Sequence, residues 1–167
     1  VLGWSFTEVG GFLALWVIGY GFVQAAAPAL VRRSGDGVSH EVSAARLWAL
    51  LLALLPAGIA YALDRPDVLA PDLAIILGLG LFGLVFAMNS ALHSYLILAY
   101  TDRERVALDV GFYYMANAGG RLLGTLLSGL AYQSHGITGC LLAAALLAAL
   151  SWLLALRLPR NRQPAQA

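Results

Sequence analysis

Lysine is absent from this sequence of 167 residues, and all ten basic residues are arginine. Charge of either sign is scarce, at 11% of the chain, less than half of the roughly 25% found in soluble domains. Nineteen charges cannot cover a globule of this size in water, so a soluble domain is excluded. A formal net charge of +1, with the arginines dispersed, excludes the concentrated basic face that a nucleic-acid binder needs. The single cysteine, Cys140, can form neither an internal disulfide nor a zinc site and reads as a small apolar residue in a helix. There is no His/Cys cluster, no Ser/His/Asp set at one membrane depth and no phosphate loop, so no enzyme constellation, metal or cofactor is implied. Gly78 and Gly80 lie within an apolar run and read as packing glycines.

Hydrocarbon is what the chain has in abundance: 60% of residues are hydrophobic, and the mean hydropathy is +0.79. A spanning helix needs about 20 apolar residues to cross a hydrocarbon core about 30 Å thick. The apolar runs predict five such helices, at 9–31, 45–63, 72–101, 109–133 and 137–157, forming an all-α integral membrane bundle. They are rich in Leu and Ala and lack the alternation of barrel strands. Residues 1–8 read as an external segment and 158–167 as a cytoplasmic tail. The chain opens on Val1 in a hydrophobic context, without an initiator Met or a basic leader, so a fragment of a longer protein is expected.

Basic residues are retained on the cytoplasmic side of a membrane. Arg32, Arg33 and Arg46 fall in the first connection, Arg103 and Arg105 in the third, and Arg157, Arg160 and Arg162 in the tail. The second connection holds only Arg65 and the fourth none. Eight against one places the C-terminus inside and the N-terminal segment outside. Eighteen of the nineteen charges read as loop, end or tail residues. Glu8 and Asp109 fall near helix N-termini and read as caps. Trp4 and Trp152 suit an interfacial belt, and Pro28 and Pro56 are candidate kinks. His40 and His135 read as solvated loop residues.

The nineteenth charge is Arg121. It lies twelve residues beyond Asp109, about 18 Å along a helix and near the midplane, where an arginine costs at least about 2.5 kcal/mol. It needs a polar cavity, an acidic partner or an anionic solute. Tyr113, Asn117, Arg121 and Thr125 form a polar ridge at four-residue spacing, beside a small-residue ridge of Ala116, Gly120, Gly124 and Ser128. Asn89 and His93 lie about 18 and 12 Å from the cytoplasmic end of the third helix, and Tyr20 and Gln24 about 17 and 11 Å from that of the first. Tyr20, Asn89 and Arg121 are therefore expected to share one layer, with Gln24 and His93 in the next. Taken singly, each of the uncharged residues is accounted for by an interhelical hydrogen bond. His93 could titrate near neutrality and couple to protons.

Five spans with short loops, an inside C-terminus and midplane polar residues resemble the C-terminal half of a major facilitator superfamily transporter, helices eight to twelve of twelve. The stretch from Val31 to Gly37 is similar in position to that family's basic loop but departs from its Gly-x-x-x-Asp-Arg-x-Gly-Arg pattern. Asn89-Ser-x-x-His93-Ser-Tyr95, with the run from Asp109 through Arg121 to Gly129, resembles the bacterial organoarsenical efflux permeases of that superfamily. The resemblance implies a multi-pass inner-membrane protein that exports a small, strongly anionic solute, an arsenylated phosphoglycerate. It also implies proton coupling and half of the site supplied by an N-terminal half. Arg121 would clamp the anion, with Asn117, Tyr113, Asn89, His93, Tyr20 and Gln24 lining the cavity. The alternatives are transport of another anionic or drug-like substrate, or a membrane-integral enzyme or structural subunit whose polar residues serve packing alone.

Overall fold

Backbone amides and carbonyls have no partner in hydrocarbon, so runs this apolar must satisfy their hydrogen bonds internally. A computed structural model describes residues 3–30, 39–101 and 104–159, and among these it forms four helices. They are α1 (Phe6–Leu30), α2 (Ser39–Leu63), α3 (Pro71–Tyr100) and α4 (Val106–Ala155). All four are long and apolar enough to cross a membrane. Arg32, Arg33, Arg103, Arg160 and Arg162, which carry much of the orientation argument, lie outside the described residues, as do Val1, the Val31 to Gly37 stretch and most of the tail.

The five expected helices thus appear as four, because the two expected at 109–133 and 137–157 belong to one 50-residue element. A straight helix of that length would run about 75 Å, more than twice the hydrocarbon thickness. It is not straight. His135 (φ −138°, ψ 16°) and Gly136 (φ 62°, ψ −153°) leave helical geometry, and the Ser128 hydroxyl lies 3.8 Å from the Cys140 sulfur. Residues twelve apart on a straight helix would be separated by about 18 Å, so α4 folds back into two antiparallel arms, 106–134 and 137–155. Gly139 allows the closure, since a Cβ there would lie 2.8 Å from the Ala131 carbonyl oxygen. The dihedrals of Gly136 fall where glycine alone is at ease. Gly136→Ala is therefore expected to destabilise the bundle by about 1 to 3 kcal/mol, read as a lower melting temperature in detergent. An unchanged melt would show that the reversal tolerates a Cβ.

α3 packs against α1 on one side and α2 on the other, and α2 in turn carries α4. Small residues of α2, Ala45, Ala49, Ala53 and Ala60, are buried and let neighbouring backbones approach closely. At one end Val42, Ala45, Leu92 and Leu96 form a buried cluster flanked by Trp48, Ala99, Tyr100 and Leu158. Many large apolar side chains point outward, among them Leu77, Leu122, Leu130 and Leu154, each more than 60% exposed. Such a surface is stable only against lipid or further protein.

The second helix starts at Ser39, six residues ahead of the expected boundary, and this changes the reading of two charges. Glu41 and Arg46 are helical residues rather than loop residues, with Glu41 only 1% exposed. Arg46 donates from Nε to the Ala155 carbonyl at 3.2 Å and from Nη2 to those of Leu156 and Leu158, each at 2.8 Å. The last carbonyls of a helix have no intrahelical donors and carry the negative end of its dipole. Arg46 supplies both the donors and the charge. At the other terminus Ser5 and Glu8 form a reciprocal capping box: the Glu8 carboxylate accepts from the Ser5 amide at 2.7 Å and the Glu8 amide donates to Ser5 Oγ at 3.3 Å.

Candidate functional site

The site is built on α3, whose successive faces meet α1 and the first arm of α4. Rising together along α1 and α3, Trp16 Nε1 donates to the Leu79 carbonyl at 2.7 Å, Tyr20 packs on Phe86 with ring centroids 5.5 Å apart, and Gln24 Nε2 donates to Ser90 Oγ at 3.5 Å. The two helices are therefore parallel. Glycine makes the approach possible, because a Cβ on Gly83 would lie 2.8 Å from the Trp16 indole nitrogen. Trp16 stacks on Tyr20 at 5.8 Å and Phe82 on Phe86 at 5.8 Å, so four rings form a continuous aromatic column across the interface.

On the other flank, Tyr113 of α4 meets α3 through its hydroxyl, 3.4 Å from Ser94 Oγ. Among the described residues α1 and α4 do not pack on each other. Ser90 and Ser94 of α3 thus carry polar contacts from two elements, Gln24 of α1 on one and Tyr113 of α4 on the other. Ser90 and Ser94 were not among the residues singled out in the sequence. Their signal was two hydroxyls, each next to a selected residue, in an otherwise apolar run.

Asn89 and His93 are one turn apart on α3. A carbonyl can only accept, so the 2.8 Å contact between His93 Nδ1 and the Asn89 carbonyl places the proton on Nδ1. In the neutral ring Nε2 is then a free acceptor. The Asn89 side-chain oxygen is buried and has no hydrogen-bond partner among the described residues. Such an acceptor costs about 1 to 3 kcal/mol when unmet.

Arg121 and Asn117 are exposed on the first arm. With α4 starting at Val106, Arg121 lies fifteen residues in, about 22 Å along the axis, still deep within a spanning helix. Its backbone carbonyl accepts from Thr125 Oγ1 at 2.9 Å, while its guanidinium makes no ion pair among the described residues. Every carboxylate there lies at a helix end or in a turn, so none is available at that depth. Of the seven residues selected from the sequence, the structure gathers Tyr20, Gln24, Asn89, His93 and Tyr113 on or beside α3. Arg121 and Asn117 stand apart, because a four-residue spacing drifts by about 40° per step and carries the polar ridge away from the Tyr113 contact. No group of three or more His, Cys, Asp or Glu side chains suited to a metal occurs among the described residues.

Residues 1–167 match the family described as Major Facilitator Superfamily. No curated protein and no solved structure matches the chain.

Proposed function

The chain belongs to the major facilitator superfamily, whose members are transporters and not enzymes, and on that premise we propose that it exports a small anionic solute. The most concrete candidate is an organoarsenical such as an arsenylated phosphoglycerate, exported by a bacterial inner-membrane protein with its C-terminus in the cytoplasm. The observation that carries this reading is Arg121, a cation deep in a spanning helix without a carboxylate at its depth among the described residues. A guanidinium matches carboxylate and phosphate oxygens two at a time, so an anion in transit would meet its charge and its donors together. Tyr113 and Asn117 continue the same ridge, and Tyr20 and Gln24 on α1 with Asn89 and His93 on α3 supply further polar groups. The free Nε2 of His93 makes it the candidate proton carrier. The other wall would come from an N-terminal half, with transport by rocking of the two halves about the midplane.

The aromatic column of Trp16, Tyr20, Phe82 and Phe86 favours a second reading, in which a planar drug-like substrate stacks on these rings. Arg121→Ala and Arg121→Lys in the whole transporter separate the two. Anion export predicts that alanine abolishes export and the resistance it confers, while lysine leaves about a tenth, since charge is retained and the bidentate fork is lost. Export that survives both changes at unaltered expression would sink the anion reading.

A further inference from the structure

Between α2 and α3 lies an apolar groove of about 310 Å³, with Leu51, Gly58, Ala62, Leu69, Gly78 and Leu81 among its lining residues. No polar side chain lines it. Its depth comes from glycine: Gly58 has open space where a Cβ would stand, and Gly78 lies so close to Ile59 that a Cβ there would collide. From Leu51 to Ala62 the groove follows eleven residues of α2, about 16 Å. That is close to half of the roughly 30 Å hydrocarbon core, the depth of one leaflet.

The groove opens at the turn that joins α2 to α3, where Arg65 is held by its backbone to both walls. Its amide donates to the Ala62 carbonyl at 3.1 Å, and its carbonyl accepts from the Leu69 amide at 3.3 Å. The guanidinium lies 5.1 Å from the centre of the Tyr61 ring and makes no ion pair among the described residues. A guanidinium over a ring face keeps its in-plane N–H donors for other partners. Asp64 and Asp67 flank it in sequence and are exposed. One free cation with two carboxylates beside it complements a group that carries a phosphate and an ammonium together better than one that is purely anionic.

We propose that this groove is a phospholipid site, in which one acyl chain lies along α2 and α3, the phosphate meets Arg65, and a primary ammonium headgroup, as in phosphatidylethanolamine, meets Asp64 and Asp67. The chain length that fits is one leaflet, and on the orientation proposed above that leaflet is the outer one. The groove shares no lining residue with the candidate functional site and does not depend on which solute is carried.

Native mass spectrometry of the purified whole transporter, titrated with phosphatidylethanolamine or phosphatidylglycerol of identical chains, tests the proposal. One phosphatidylethanolamine is expected to remain bound per copy at concentrations that remove other lipids. Arg65→Ala is expected to lower that affinity about tenfold, the scale of one charge-assisted contact. Gly58→Leu, which fills the groove from a position with open space, should lower it comparably while leaving Arg65 in place. Asp64→Asn with Asp67→Asn should abolish the preference over phosphatidylglycerol. Unchanged occupancy in Arg65→Ala and Gly58→Leu would overturn the proposal. So would a Gly58→Leu protein that loses thermal stability while its lipid binding is intact, which would mean that another helix of the protein covers the groove.

Discussion

Arg46→Ala is expected to lower the stability of the bundle by about 3 kcal/mol, read as a marked fall in melting temperature of the detergent-purified protein. Three carbonyls at the end of α4 accept from this one guanidinium. Hydrogen bonds to charged groups contribute about 1.5 to 3 kcal/mol each, but they do not add when they share a donor group. Removing the side chain also leaves the C-terminal end of the helix dipole without a counter-charge. The loss is amplified by position, because Arg46 fastens α2 to the far end of α4, beside the buried cluster of Val42, Ala45, Leu92 and Leu96. There the Tyr100 hydroxyl also donates to the Pro159 carbonyl at 2.6 Å. Arg46→Lys is expected to recover about half of the loss, since it keeps the charge but presents a point donor in place of a planar fork. A melt for Arg46→Ala within a degree of the unmodified protein would show that water satisfies those carbonyls equally well.

Arg46 also marks where sequence reasoning ran short. Counting charge-free residues finds the hydrocarbon-facing part of a helix and stops at the first charge. It therefore counted Arg46 with the first connection, at the very edge of a span drawn from about residue 45, where its function would have been topology. The helix continues back to Ser39 because a charge can be buried when another element supplies its partners, and those partners are backbone carbonyls more than a hundred residues away. No local pattern encodes them. The reversal at His135 and Gly136 was legible as Ser134-His135-Gly136, but so short a turn leaves the hydrogen-bond ladder nearly continuous, and two expected spans appear as one element.

Of the candidate site, the α1 face that meets α3 was legible in the sequence and the direction that Arg121 faces was not. Spacing by four correctly placed Tyr20 and Gln24 on one side of α1, where both meet α3. The same rule put Tyr113, Asn117 and Arg121 on one ridge of α4, and the drift of that ridge around the helix takes Arg121 off the α3 contact that Tyr113 makes. Its depth could be counted from the sequence, whereas the direction it faces depends on packing that joins residues far apart in the chain. Deep placement without a carboxylate among the described residues is the observation on which the proposed role of Arg121 rests.

A neutral glutamine at position 121 is accordingly expected to weaken binding of the anionic solute by about thirtyfold or more, the scale of removing one partner from a desolvated charge pair. Glutamine keeps an amide donor and much of the stem, so cavity shape and hydrogen bonding change little while the charge is lost. The direct test is calorimetric titration of the whole transporter and its Arg121→Gln variant with an arsenylated phosphoglycerate and with an uncharged analogue of similar size. The account predicts that the variant loses affinity for the anion by that factor and binds the uncharged analogue as the unmodified protein does. Equal affinity of both proteins for the anion, or equal loss for both ligands, would contradict it.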